Sequence, residues 1–328
     1  MDVSIVIVNW NARDLVRPCL DSIYRQTHGV SFEVIVMDNL SSDGSVEMLR
    51  DEFPNVKLIA SDVNRGFAGG NNAGMAVSTG RYLLLLNPDT IVRGDAITHM
   101  VRFAEAHPEA GVVGPRVLNS DGTLQRSCFL FPSVLNLFLS TFWLYKLFPK
   151  NKFFGRETLS WCAMETERSV DVVSGCCMLV KREAYTQVGG MDEAYFMYFE
   201  ETDWCYRMHE AGWKVVYTPS AQITHLGGAC TERVKAEMMA QHAASLLLFF
   251  RKHRGTLAYF VACLLQTVFF SLRMPFWLVK MLFSTRRRYA LYRLGICARI
   301  ALGAACGGVT LRCHTMTSYG QKEADAAS

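Results

Sequence analysis

Hydrophobic positions in the first 120 residues fall into short continuous runs rather than alternating stripes. Val3 to Val8 is a β-branched apolar run that stops at Asn9-Trp10-Asn11. A helical pattern follows, with Leu15, Cys19, Leu20 and Ile23 on one face. Phe32 to Met37 is a second run and ends at Asp38-Asn39. Ser41-Ser42-Asp43-Gly44 reads as a turn and helix start. Val56 to Ala60 and Leu83 to Leu86 are a third and a fourth run, separated by a glycine-rich segment and a helix. Short apolar strands alternating with helices predict a parallel sheet covered on both faces. Such sheets bind ligands beyond the carboxyl ends of their strands. Asn9, Asn11, Asp38, Asn39 and Asp89 stand at those ends, where a nucleotide would sit.

From 119 to 170 the pattern loosens. Apolar and aromatic residues between Phe129 and Phe154 mix with Pro132 and Pro149, as in a lid, an acceptor-facing insertion or a membrane-contacting loop. A second block runs from Val170 to His225, with strands at Val172-Val173, Met178 to Val180 and Val215 to Tyr217, a Gly189-Gly190 turn and an acidic helix.

The character changes near Ala243. Leu257 to Leu272 is nearly all apolar and is broken by Arg273 and Pro275; Arg251-Lys252-His253-Arg254 and Arg286-Arg287-Arg288 flank the region. The run is short of the roughly 20 residues of a spanning helix. A hairpin or in-plane helices at an anionic cytoplasmic leaflet are therefore expected, against the alternative of a buried helix pair in a soluble domain. The tail from Gln321 reads as disordered.

Composition sharpens this. Half of the 328 residues are hydrophobic and the mean hydropathy is slightly positive, which points to membrane contact. The net charge of +4 gives no argument for nucleic acid. Eleven cysteines, an odd number without a CxxC pair, suggest reduced core thiols rather than a disulfide framework or zinc ribbon. The chain enters a strand at once and lacks a signal-peptide pattern, so the catalytic part is expected in the cytoplasm.

Three segments can carry chemistry. Asn87-Pro88-Asp89 ends a buried run on a carboxylate that could hold Mg²⁺ or Mn²⁺ on a diphosphate, with Asn87 assisting; alone, it is a common turn. In Asn64 to Gly74 the glycines, Gly66 included, allow close backbone approach, while Arg65 and Asn71 could contact phosphate or sugar. The plainer reading is a glycine-rich loop that lets a helix pack on the sheet. In Glu200-Glu201-Thr202-Asp203, crowded acids can raise one pKa and supply a base for an acceptor hydroxyl, although acids also suit any helix start. His225 is a candidate metal ligand or phosphate donor; a lone histidine is more often structural.

These pieces, in this order, resemble the inverting family 2 glycosyltransferases of GT-A fold, especially the rhamnosyltransferase-like branch. Val3–Asn11, Val34–Gly44, Asn64–Gly74, Leu83–Thr90, Ser174–Arg182 and Gly189–His225 carry the resemblance across about residues 1 to 230. It implies an α/β fold with a mostly parallel sheet and flanking helices. The implied division is a glycosyltransferase domain over 1–232 (nucleotide half 1–118, acceptor and catalytic half 119–232), a helical membrane-associating region over 233–320, and a tail over 321–328. It places Asn9, Asn11 and Asp38 near base and ribose. Asp89 matches the last acid of the family's Asp-x-Asp, with Asn87 where the first acid often stands. Glu201 matches the catalytic base, often aspartate in similar sequences, with Asp203 as the alternative. His225 matches a metal-binding histidine.

The implied reaction is a single inverting displacement from a nucleoside-diphosphate sugar. L-rhamnose on thymidine diphosphate is favoured, and a uridine diphosphate sugar follows closely. A lipid-linked or cell-surface glycan is the expected acceptor, met at the cytoplasmic face of the inner membrane. Three rivals remain. A sugar nucleotidyltransferase would want a glycine-rich basic loop after the first strand, where Asn9-Trp10-Asn11-Ala12-Arg13 stands. A non-catalytic membrane-bound sugar-binding protein would release no nucleotide. A dinucleotide oxidoreductase would carry a glycine fingerprint in the first turn.

Overall fold

The computed structural model describes residues 1–227, 235–283 and 287–308. The expected tail from Gln321, and Arg286 of the basic triplet, lie outside the described residues. The chain forms two compact units: Met1–Phe131 with Thr158–Ala194 and Glu200–Cys230, and Pro132–Glu157 with Tyr195–Phe199 and Thr231–Ser328.

The first unit opens with β1 (Val3–Asn9), α1 (Arg13–Gln26), β2 (Phe32–Asp38), α2 (Ser45–Glu52), β3 (Lys57–Ala60), α3 (Gly66–Ala76), β4 (Tyr82–Leu86), β5 (Thr90–Arg93), α4 (Ala96–Ala106), β6 (Ala110–Leu118) and β7 (Cys128–Phe129). Helices α5 (Val134–Thr141) and α6 (Leu144–Leu147) belong to the second unit. The chain then returns to the first with β8 (Arg168–Val170), β9 (Val172–Val173), β10 (Cys177–Lys181), α7 (Arg182–Val188), α8 (Glu200–Glu210) and β11 (Lys214–His225).

The main sheet has the order β3-β2-β1-β4-β10-β6-β11-β5, with β8 beside β11. Strands β1, β2, β3, β4, β6 and β11 run one way, and β5, β8 and β10 run against them. The sheet is thus mostly parallel, and its strand alternation feeds two cores. Val3, Ile5, Ile7, Leu84 and Leu86 face α1 and α4, while Val6, Ile35, Leu83 and Leu85 face the side of α3 and α8. Burial on both faces explains why these strands read as unbroken apolar runs.

The glycine-rich segment is a helix, not a loop. Helix propensity opposes this, but packing decides it. A Cβ on Gly70 would lie 2.8 Å from Val8 Cγ1, and one on Gly74 would lie 2.4 Å from Val6 Cγ1. Glycine lets α3 rest directly on β1. A second difference follows Asn87-Pro88-Asp89, where the turn leads into β5 rather than capping a helix.

The second unit contains α5, α6, α9 (Lys235–His253), α10 (Gly255–Ser271), α11 (Met274–Phe283) and α12 (Arg287–Ala305). Leu246, Leu247, Phe250, Ala262, Cys263 and Leu265 form one core, and Ala240, Ala243, Phe270, Ile296, Cys297 and Ile300 a second. The stretch Gly255–Phe283 contains an 18-residue window of mean hydropathy 1.7 and is long and apolar enough to cross a bilayer, with Leu272–Arg273 interrupting the helix. Leu257, Phe260 and Leu264 lie exposed along one face of α10, and Ala262, Cys263, Leu265 and Gln266 are buried on the other.

Candidate active site

Parallel strands bring their carboxyl ends to one edge of the first unit. β1 ends at Asn9, β2 at Asp38, β4 runs into Asn87, and β11 ends at His225. At the β1–β2 end, Asn9 Nδ2 donates to Asp38 Oδ2 at 2.9 Å and to Ser41 Oγ at 3.2 Å. The Asn9 Oδ1 atom is buried without a partner. Asp38 Oδ1 accepts the Ser41 N–H, and Ser41 Oγ accepts the Asn11 N–H. Asn11 is exposed, in the left-handed region (φ 48°), and its Oδ1 accepts the Ser42 N–H. Asn39 accepts the Arg65 N–H and donates to the Gly66 carbonyl, tying β2 to the start of α3. The Arg65 residue itself is exposed at that corner. Asn71 is buried and donates to the Phe67 carbonyl one turn back, so its amide serves the helix.

The β4 end holds the charged pair. β5 runs antiparallel to β11 and pairs Thr90 with His225. The Leu226 N–H donates to the Asp89 carbonyl. Asp89 and His225 are therefore adjacent by strand register despite their separation in sequence. Asp89 Oδ1 lies 3.2 Å from His225 Nε2, and both side chains are largely buried. His225 Nδ1 is 2.6 Å from Gln125 Oε1, a contact that requires a proton on Nδ1. Asn87 Nδ2 lies 3.3 Å from Nε2, which suits a lone pair there. Two lone pairs at the Nε2–Oδ1 separation need a proton or a cation between them. Two ligands at right angles on a metal with bonds of about 2.1 Å sit about 3 Å apart, so the pair fits Mg²⁺ or Mn²⁺. Such ions take few protein ligands and complete their shell from diphosphate and water. The described residues contain no cluster of three or more His, Cys, Asp or Glu that could hold a metal.

The acidic helix meets this end through Gly175–Cys176. The Asn87 N–H donates to the Cys176 carbonyl at 2.9 Å, and Gly175 packs against Glu201, where an added Cβ would lie 3.7 Å from the Glu201 Cβ. Burial pushes the Cys176 thiol up to about 12, and the charges of Asp89 and Glu201 both add to that rise. Both carboxylates thus act on one buried thiol. Burial raises Glu201, partly offset by backbone N–H groups of Glu201, Thr202 and Gly175. Burial raises Glu200 well above the usual range, and the neighbouring Glu201 charge raises it further. Of the two, Glu200 is raised by both burial and its neighbour's charge, and Glu201 is better supplied with backbone donors. Glu201 Oε2 has no hydrogen-bond partner and is free to take a proton.

Asp203 is engaged elsewhere. It is buried and forms an ion pair with Arg207 at 2.7 Å. Arg207 also donates to the carbonyls of Val188 and Gly190. Asp203 and Arg207 therefore pin the Gly189-Gly190 turn to α8, and Trp204 Nε1 donates to the Gly189 carbonyl beside them.

Three contributors escaped the sequence reading. Gln125 orients His225 from 100 residues away, with no periodic signal to mark it. Ser41 joins Asn9, Asn11 and Asp38. Asn72 clamps the loop before α8 through the Met191 N–H and carbonyl, and through Glu193.

An α/β sheet with polar residues at its strand ends, a carboxylate–imidazole pair and a buried carboxylate suits a group transferase. Residues 4–189 match the model of glycosyl transferase family 2, and the chain belongs to that family. It is 33% identical over 241 residues to the N-acetylglucosaminyl-diphospho-decaprenol L-rhamnosyltransferase of Mycobacterium tuberculosis, across 68% of this chain and 76% of that protein. It is 26% identical to rhamnosyltransferase WbbL of Escherichia coli K12, across 68% of this chain and 83% of that one. The fold is similar to that of the Pyrobaculum calidifontis mannosyltransferase PcManGT, solved with GDP-Man and Mn²⁺, with a TM-score of 0.54, 16% identity, and coverage of 99% of this chain and 85% of that one.

Proposed function

We propose that the protein transfers a sugar, L-rhamnose before other hexoses, from a nucleoside-diphosphate donor to a hydroxyl of a lipid-linked glycan, with inversion. One observation carries this reading: Glu201 packs against Gly175, and the next residue, Cys176, accepts the N–H of Asn87, whose side chain lies against His225 of the Asp89–His225 pair. A proton acceptor and a diphosphate anchor are what a single displacement requires.

Asn9, Asp38 and Asn39, with Asn11 at the rim, are the proposed seat of base and ribose; Arg65 and Gly66 border the diphosphate. Asp89 and His225 would hold a divalent cation, which would offset the charge gathering on the leaving diphosphate. The acceptor hydroxyl approaches the free oxygen of Glu201. Its proton passes to that oxygen as the hydroxyl oxygen bonds to the anomeric carbon. The bond from that carbon to the diphosphate oxygen breaks on the opposite face, and its electron pair leaves with the nucleoside diphosphate.

The rhamnosyltransferase relatives support the donor, and the decaprenol-linked substrate named for one of them supports the acceptor. The exposed apolar face of α10 and the Arg251–Arg254 cluster support a seat on an anionic inner leaflet, facing the cytoplasm.

Glu201→Gln tests the assignment. Transfer should fall by about 10²–10⁴-fold while donor affinity changes little. Near-normal transfer removes Glu201 as the base.

A further inference from the structure

The second unit encloses a cavity of about 550 Å³, within the range of small-ligand pockets. It lies wholly among that unit's own residues and takes part in none of the contacts described above. Its walls are chiefly apolar: Leu137, Met238, Leu246, Phe250, Phe269 and Phe270. Methionine and aromatic walls adapt to irregular hydrocarbon better than to a rigid polar ring.

Polar groups interrupt the walls, and three of them, Arg273, His242 and Glu157, bear on an anion. Arg273 stacks on Phe269 and Trp143, with its guanidinium carbon 3.3 Å and 4.7 Å from the ring centroids, and makes no ion pair among the described residues. Its Nη1 donates to the Phe269 carbonyl, and a guanidinium without an ion-pair partner in an apolar wall is a ready partner for phosphate. His242 lines the cavity with its ring against Tyr198 and Phe199, where an imidazole N–H can donate to an anion. Burial raises Glu157 toward its protonated, hydrogen-donating form, which lessens its repulsion of an anion.

Two features say where the occupant comes from. α10 lines the cavity through Gln266, Phe269 and Phe270, and the same helix exposes Leu257, Phe260 and Leu264. An amphiphile resting at a lipid surface meets this helix first. Tyr198 and Phe199 line the cavity in left-handed backbone (φ 66° and 68°), held by Ser245, whose Oγ donates to the Met197 carbonyl. Glu200 and Glu201 follow them directly in the chain.

We propose that this cavity receives the phosphate-bearing end and first isoprene units of the lipid-linked acceptor. Arg273 meets the phosphate, His242 and Glu157 donate to its oxygens, and the apolar wall takes the hydrocarbon. The assignment rests on the transfer reading above and adds the chemistry of the acceptor's lipid.

The test is calorimetric titration of the full-length protein with farnesyl diphosphate, with inorganic pyrophosphate and phosphatidylglycerol vesicles as separate arms. Farnesyl diphosphate should bind at least about tenfold more tightly than pyrophosphate. Leu246→Trp, which fills the cavity, and Arg273→Gln, which removes the cation, should each weaken it by about tenfold or more. Equal binding of pyrophosphate overturns the proposal. So does unchanged farnesyl diphosphate binding by Arg273→Gln with an unaltered unfolding midpoint, and this arm stands even if the tryptophan variant fails to fold. Complete displacement by phosphatidylglycerol vesicles reassigns the cavity to bulk phospholipid. Nucleotide release by the unaltered protein, with a short alkyl glycoside as acceptor, tests the transfer reading alone.

Discussion

Glu200 and Glu201 are neighbours in sequence with opposite duties, and pH separates them. In the proposed mechanism Glu201 is the base and must be deprotonated to act, and burial raises it. Transfer should therefore fall as pH drops through a value above the ordinary glutamate range, and a pH–rate profile of kcat reads that limb directly. Glu200 is linked to stability instead. Its folded pKa lies above its unfolded one, so the folded state binds more protons between the two, and stability falls as pH rises through that window. Glu200→Gln should raise the unfolding midpoint more at pH 7.5 than at pH 4.5. A uniform gain would show that the carboxyl is not desolvated as described. Asp203 presents the contrasting case. Arg207→Met removes the ion pair from its buried charge, which costs about 3 kcal/mol in denaturant unfolding. The i, i+4 spacing of the pair was visible in the sequence; its three-way grip on Val188 and Gly190 was not, because carbonyl partners leave no residue signature.

At the scale of elements, β1, β2 and β4 were legible because full burial writes itself as an unbroken apolar run. α3 was misread because glycine spoils helix propensity, while the contact that favours glycine lies on another strand. Gly74→Ala separates the two influences. Alanine gains up to about 1 kcal/mol at an exposed helical glycine. At Gly74 the new Cβ would collide with Val6 backed by a packed sheet, so a loss of about 1–3 kcal/mol is expected from chemical denaturation. The β5–β11 ladder shows the same limit from the other side. Asp89 and His225 each stood out singly, and only the antiparallel register of Thr90 on His225 makes them a pair.

At the scale of the molecule, composition had already pointed to a lipid surface, and the helical unit shows how it would be met. α10 turns one apolar face inward and leaves another uncovered. Leu257, Phe260 and Leu264 together replaced by serine should weaken binding to anionic vesicles by about tenfold or more, measured by co-sedimentation, with little change in unfolding midpoint. A drop in midpoint equal to that of a core deletion would mean that these side chains are covered in solution. The cavity in this unit had no counterpart in the sequence reading, because its walls come from α5, α9, α10 and the Tyr198–Phe199 bend, which no single periodicity joins.

The Gly175–Cys176 peptide has a consequence for diversification. On the proposed reading, with Glu201 packed against one of its residues and Asn87 hydrogen-bonded to the other, the distance from proton acceptor to diphosphate anchor is set by a ruler two residues long. Selection for new sugars would find little slack there. It would act instead on exposed margins such as Asn11 and Arg65, where a side chain can be exchanged without disturbing the ruler.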